Sequence, residues 1–269
     1  HLAAKAAERA LAAAGVAPEE LDIIILGTSS PDRNYPSDAC SVQAAIGAVN
    51  AVAFDISAAC AGFIFAMNIV EGFFKAGIYK TALIIGAETL SKVTDWSDRG
   101  TCVLFGDGAG AAVLKAEETG IIDMMMGADG TKGDVLACTS RTVGNFLTGT
   151  KPELGFMTMD GQEVFKFAVR KVPESVMELL QRTGTKKEDI KYYVLHQANE
   201  RIIEAAARRL KEPMEKFPMT ISQFGNTSTA SIPLLLDDMI RKDMLKKGDK
   251  IIMSGFGAGM TWGAVLMEW

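Results

Sequence analysis

Short apolar runs recur along the chain, each closed by small or polar residues, and most are followed by a stretch with helical spacing. Ile23–Ile24–Ile25–Leu26, Ala53–Phe54–Asp55–Ile56, Ala82–Leu83–Ile84–Ile85, Tyr192–Tyr193–Val194–Leu195 and Lys250–Ile251–Ile252–Met253 read as strands. Their apolar positions are continuous rather than alternating, which predicts strands buried on both faces of parallel or mixed sheets. Between them the pattern predicts an Ala-rich helix at the start, a helix over 63–74, one ending near Gly184, one from Glu200 to about Lys211 and one over 232–240. Strands alternating with helices make the fold class α/β.

The same plan occurs twice. A shift of 169 residues superposes Gly15 on Gly184, Leu21 on Ile190 and Leu26 on Leu195, so each segment reads as helix, glycine stop, acidic loop and buried strand. Gly106–Asp107–Gly108–Ala109–Gly110 leads into Ala111–Ala112–Val113–Leu114, and Gly255–Phe256–Gly257–Ala258–Gly259 leads into Gly263–Ala264–Val265–Leu266. Each half should also have a buried strand feeding a helix, at Cys60 in the first and at Gln223–Ser228 in the second. We therefore expect two related halves, residues 1–119 and 120–269, stacked with helices between and outside their sheets. A strand over 120–127 precedes the second half's helix, whereas the first half opens directly in its helix. The expectation is that a central N-terminal strand and its loop lie outside this numbering.

Composition narrows the chemistry. The 269 residues are 48% hydrophobic and 23% charged, enough for a large core. A net charge of −5 and a pI near 5.2 argue against nucleic-acid binding. No apolar run is long enough for a membrane span and no signal-peptide pattern opens the chain, so a cytoplasmic location is expected. The four cysteines form no CxxC pair, and histidine occurs only at positions 1 and 196.

Three residues at strand–helix junctions could carry chemistry. Cys60 follows a strand and a turn of small residues and precedes an apolar helix, where free N–H groups and the helix dipole favour a thiolate. Such a cysteine has both parts needed for acyl transfer, a nucleophile and an oxyanion site, although a small buried cysteine packing a helix start is the plainer reading. His196 ends a strand, a usual site position, or serves as a satisfied structural histidine. Asn226 mirrors Cys60 in the second half, or is an ordinary turn and cap residue. A pseudo-twofold relation would bring all three to one cleft, with the loop Phe256–Gly259 adding a second backbone N–H.

The pieces Ala58–Ala59–Cys60–Ala61–Gly62, Asp98–Arg99–Gly100–Thr101, Phe105–Gly106–Asp107–Gly108–Ala109–Gly110, His196–Gln197–Ala198–Asn199, Gly225–Asn226–Thr227–Ser228 and Phe256–Gly257–Ala258–Gly259 span nearly the whole chain. In that order they resemble the β-ketoacyl-acyl-carrier-protein synthase III family. The resemblance implies the thiolase fold, a duplicated five-layer α/β/α/β/α architecture, and a homodimer. It implies decarboxylative Claisen condensation of an acyl-CoA primer, expected to be acetyl-CoA, with malonyl-acyl-carrier protein, without metal or bound cofactor. Cys60 would be the nucleophile, the N–H groups of Cys60 and Ala258 the oxyanion hole, and His196 and Asn226 the donors to the malonyl thioester. Arg99, Gly161, Phe165, Ala198, Asn199 and Phe256 would bind CoA or pantetheine. Leu90, Phe105, Leu136 and Met157 would wall the acyl pocket, with Tyr35 offered across the dimer. Lys166, Gln197, Arg201, Arg208 and Arg209 would dock the acidic carrier protein. The N-terminal Trp and Arg that hold the CoA adenine in family members have no counterpart here. A polyketide-type or specialised starter-unit ketosynthase is the alternative within the fold; a cysteine hydrolase or a non-catalytic acyl-CoA-binding protein are alternatives from other classes.

Overall fold

The computed structural model describes residues 1–140, 142–153 and 155–269. Its strands are β1 (Ile23–Gly27), β2 (Val52–Ile56), β3 (Thr81–Glu88), β4 (Gly108–Lys115), β5 (Ile121–Ala128), β6 (Leu136–Cys138), β7 (Met157–Met159), β8 (Ile190–Leu195), β9 (Lys250–Gly257) and β10 (Thr261–Glu268). Its helices are α1 (Leu2–Ala14), α2 (Asp38–Ile46), α3 (Gly62–Lys75), α4 (Gly161–Thr183), α5 (Glu200–Leu210), α6 (Ile221–Phe224) and α7 (Ser231–Arg241).

Every residue of β1 is buried, and the period of two sends its side chains to different layers. Ile23 and Ile25 join Ile84, Phe63, Ile64, Met67, Leu235 and Met239 in a central core that also takes Ile251, Met253 and Val265 from the second sheet. Ile24 and Leu26 join Leu83 and Ile85 against Ala3, Ala7 and Leu11 of α1 and Val42 of α2. On the opposite side Tyr193, Leu195, Ile252 and Leu266 pack on Val172, Val176 and Leu179 of α4 and Ile203 and Ala206 of α5. Three apolar cores between helix and sheet layers are the α/β/α/β/α arrangement that the sequence led us to expect. A small hairpin, β6–β7, stands apart from both sheets.

The sheets have orders β2-β1-β3-β4 and β5-β10-β9-β8. In each, a parallel pair (β1–β3, β8–β9) is followed by an antiparallel partner. The offset of 169 residues carries β3 onto β9 and the 3-10 turn Ala59–Ala61 onto Ser228–Ala230. It also carries the C-caps of α1 and α4 onto each other, with Gly15 and Gly184 both left-handed (φ 62° and 66°).

Two expectations need correction. The offset places β2 on α6, so no strand feeds the Asn226 junction; a single helical turn ending at Gly225 does. Second, among the described residues β5 pairs with β10 alone, so in this half the strand before the long helix lies at the sheet edge and not at its centre.

The halves differ most between their last two strands. Only Ala258–Met260 separates β9 from β10, whereas residues 89–107 separate β3 from β4. That longer connection grips the second half: Asn226 N–H donates to Leu104 O (2.9 Å) and Gly106 N–H to Asn226 O (2.9 Å). The approach requires glycine, because a Cβ at Gly106 would lie 2.1 Å from Phe224 O. Gly106→Ala should therefore lower stability by about 1–3 kcal/mol, read as a fall in the urea midpoint, while an unchanged midpoint would show that this junction yields freely.

Candidate active site

Cys60 is the middle residue of the turn that opens α3, and its position is set by Ala59, held left-handed at φ 45°. Ser228 has the same conformation (φ 49°) at the equivalent turn before α7, and Asn226 lies two residues upstream. Strained backbone of this kind costs roughly 1–3 kcal/mol per residue and persists only where the surroundings enforce it. His196 follows β8, its N–H donating to Ser254 O at 2.8 Å. Cys60, His196 and Asn226 line one cavity of about 230 Å³.

Burial sets the charge state of the site. His196 is 2% exposed and has its ring edge against Phe256 (centroids 5.3 Å apart); burial lowers its pKa from 6.5 to about 3, so the ring is neutral. Its Nδ1 lies 2.6 Å from Ser231 Oγ. Asn226 Oδ1 accepts from Ser228 N–H at 2.9 Å, which leaves the two Nδ2 protons for the cavity. Burial also pushes the Cys60 thiol up from 9.0 to about 12; a hydrogen bond from Ser228 opposes the rise, the Glu88 charge adds less to it, and the Cys60 N–H opposes it least. Where the helix terminus led to the expectation of a thiolate, burial holds Cys60 as a thiol at rest. Gly257 meets the Cys60 amide so closely that a Cβ would lie 2.6 Å from its nitrogen, which brings Ala258 alongside the sulfur-bearing turn. The Thr261 hydroxyl lies within 3.1 Å of Ala58 O and 3.2 Å of Ala258 O, between those two turns.

Behind the cysteine sits Glu88, a carboxylate only 2% exposed. It receives Ser30 Oγ (2.6 Å), Ser29 N–H (3.0 Å), Thr28 Oγ1 (3.3 Å) and Ser228 Oγ (3.0 Å), and it shares the single Thr229 hydroxyl proton (3.1 Å) with a second acceptor. Thr229 Oγ1 is also 2.7 Å from Ala59 O.

The structure brings many of the residues singled out above to this cavity: Gly161, Phe165, Ala198, Asn199, Phe256, Phe105 and Leu136 all line it. Asn199 also caps α5, accepting from Arg201 N–H at 2.9 Å. Others fall elsewhere. Arg99 is exposed and its neighbour Gly100 lines the cavity. Leu90 is core, and Tyr35 is 85% exposed. Met157 is displaced by Met159, which pairs in register with Leu136 and lines the wall. Gln197 cannot meet a partner protein: it is 1% exposed, with Nε2 donating to Leu195 O (2.8 Å) and Oε1 accepting from Thr220 N–H (2.9 Å). Arg201, Arg208, Arg209 and Lys166 are all exposed. Arg208 pairs with Glu204 (3.6 Å), Lys166 with Glu163 (2.8 Å), and Arg209 donates to Val169 O (2.7 Å). Arg201 has no ion pair among the described residues.

Sequence reasoning missed Glu88, Ser231 and Met159. Glu88 carried a faint sign, an acid ending a run buried on both faces. Ser231 carried a better one, since the offset sets it opposite Gly62 at the first residue of the equivalent helix. For Met159, strand period alone left two methionines interchangeable until register chose one.

Family models described as 3-oxoacyl-[acyl-carrier-protein (ACP)] synthase III and 3-oxoacyl-[acyl-carrier-protein (ACP)] synthase III C terminal match residues 54–130 and 180–269. The beta-ketoacyl-[acyl-carrier-protein] synthase III of Clostridium acetobutylicum is 51% identical over 270 residues, covering 100% of this chain and 83% of the relative. Among solved structures, 3-oxoacyl-[acyl-carrier-protein] synthase III from Aquifex aeolicus VF5 superposes with a TM-score of 0.91 at 45% identity, over 99% of this chain and 83% of that one. The beta-ketoacyl synthase III of Thermus thermophilus gives 0.92 at 41%, over 100% and 83%.

The two buried groups make stability pH-dependent at both ends. Unfolded His196 gains its proton near 6.5 and the folded ring only near 3, so its contribution is intact above pH 6.5 and is lost as pH falls toward 3. Cys60 stays a thiol past the pH at which the unfolded chain ionises, so its contribution is intact below pH 9 and is lost as pH rises toward 12. Urea midpoints of wild type and His196→Gln should converge below pH 6.5, and those of wild type and Cys60→Ser above pH 9; parallel curves would contradict both assignments.

Proposed function

This chain belongs to the 3-oxoacyl-[acyl-carrier-protein] synthase III family, and on that footing we propose that it performs the condensation that starts fatty acid synthesis. An acyl-CoA primer, expected to be acetyl-CoA, reacts with malonyl-acyl-carrier protein to give 3-ketoacyl-acyl-carrier protein, CoA and carbon dioxide. The observation that carries the assignment of roles is the convergence of Cys60, a neutral His196 and an oriented Asn226 on one cavity.

In the first half-reaction Cys60 Sγ attacks the primer thioester and the bond to CoA breaks. The thiol proton balances the departing CoA thiolate, so CoA leaves as its thiol. The N–H groups of Cys60 and Ala258 hold the oxyanion of the tetrahedral intermediate. In the second half-reaction the malonyl carboxylate departs as carbon dioxide and its electron pair moves into the thioester carbonyl. His196 Nε2 and Asn226 Nδ2 donate to that enolate oxygen, each worth about 3–4 kcal/mol. The enolate carbon attacks the acyl thioester, and Cys60 leaves as a thiolate that regains from solvent the proton consumed in the overall reaction. A neutral ring donates without placing a cation in a buried site. The charge is delocalised into the thioester, so this reading calls for no metal or bound cofactor.

Phe105, Leu136 and Met159 supply an apolar wall for the primer, and Phe165, Gly161, Ala198 and Asn199 line the way for pantetheine. Arg201, exposed beside the cavity-lining Asn199 and Ile202, is the cation we assign to the acidic carrier protein, with Lys166, Arg208 and Arg209 nearer to saturation by their own contacts. Tyr35, Val143, Phe146 and Leu147 stand 80–91% exposed, which supports a homodimer that covers them. No described helix is long and apolar enough to cross a membrane, which fits a cytoplasmic enzyme.

Intact-protein mass after incubation with acetyl-CoA should show one acetyl adduct, absent in Cys60→Ser and discharged by malonyl-carrier protein. His196→Ala and Asn226→Ala should keep the adduct but slow its discharge by about 10²–10³-fold. Discharge by water at the same rate would make the protein a hydrolase instead. Arg201→Glu should raise KM for malonyl-carrier protein and flatten its salt dependence, with adduct formation unchanged; an unaltered KM would remove Arg201 from the dock.

A further inference from the structure

Ser231 is the first residue of α7, 2% exposed, and stands behind the cavity wall without lining it. Its hydroxyl has two partners. Nδ1 of His196 lies 2.6 Å away, and the Gln197 N–H donates to Oγ at 3.3 Å. A serine hydroxyl has one proton and two acceptor positions, and the amide occupies one acceptor position. Among the described residues Ser231 Oγ makes no other hydrogen bond. If Nδ1 carried the imidazole proton, Oγ would receive two N–H donors and its own proton would be buried without a partner. With Nδ1 bare, every group is satisfied: Gln197 N–H to Oγ, and Oγ–H to Nδ1.

From this geometry we infer that Ser231 is a positioning residue that fixes His196 as the Nε2–H tautomer. The ring proton then faces the cavity, where Nε2 makes no hydrogen bond to any described residue. The opposite tautomer would present a lone pair to the developing enolate oxygen and repel it. The arrangement also separates His196 from the Cys60 proton, because the only basic ring nitrogen is the one occupied by Ser231. The inference rests on the condensing role proposed for His196 in its consequence for rate, but the tautomer itself is independent of that role.

Histidine occurs only at positions 1 and 196, so selective ¹⁵N-histidine labelling gives two rings, and His196→Gln assigns them. The wild-type protein should show His196 with a protonated Nε2 and an unprotonated Nδ1. Ser231→Ala should move protonation toward Nδ1 and slow discharge of acetyl-Cys60 by malonyl-carrier protein about 10²-fold, leaving adduct formation within about twofold. Ser231→Thr, which keeps the hydroxyl, should restore both the ring spectrum and the rate. A wild-type ring protonated at Nδ1 overturns the inference without any variant. So does a Ser231→Ala protein that loses rate with its tautomer unchanged, or that keeps both. An absent acetyl adduct in wild type would instead defeat the condensing function, and the ring spectrum would still decide the tautomer.

Discussion

A buried carboxylate that no cation pairs with among the described residues is the group around which the site is assembled. Glu88 ends β3, yet its oxygens are met by hydroxyls and an amide from two other segments: the loop after β1 and the turn that opens α7. Such a group is tolerated in a core only while its acceptors are filled. The two halves are therefore obliged to meet in one register. Thr229 extends the link to Ala59 O, so the turn carrying Cys60 and the turn following Asn226 are fixed against each other through the same residue. The left-handed backbone at Ala59 and Ser228 is held by those contacts.

The same carboxylate shapes reactivity. Burial keeps Cys60 a thiol at rest, with a lesser contribution from the Glu88 charge, and burial keeps His196 neutral. Neither group holds charge at rest, and the negative charge of the reaction appears only on a substrate oxygen placed under the backbone amides or the side-chain donors. A resting thiol is a weak target for stray electrophiles, and its nucleophilicity is expressed only along the path where the oxyanion is stabilised.

Much of this was legible in residues. The doubled run of glycine stop, acidic turn and apolar strand gave the two sheets, because Gly15 and Gly184 are required by the same left-handed cap and Ile23–Leu26 and Tyr192–Leu195 by the same buried position. What was not legible depended on side-chain direction or on the partner across the fold. Ile221–Phe224 is one turn long, too short for its apolar pattern to tell helix from strand. Gln197 sits in a polar tetrapeptide that looks solvent-facing, but its amide satisfies Leu195 O and Thr220 N–H inside the core. Cys60 stands at a helix start, as expected, yet its ionisation is decided by burial and by Glu88, which no local reading connects to it.

The repeated left-handed turn has a consequence for descent. Ala59 and Ser228 occupy equivalent places before equivalent helices, with Cys60 set against Thr229 and Gly62 against Ser231. A single ancestral half paired with its own copy would already have presented two such turns to a shared cleft. Turning one into the nucleophile's seat and the other into a support for histidine and asparagine then required side-chain replacements on an inherited backbone, so the division of labour is younger than the geometry that carries it.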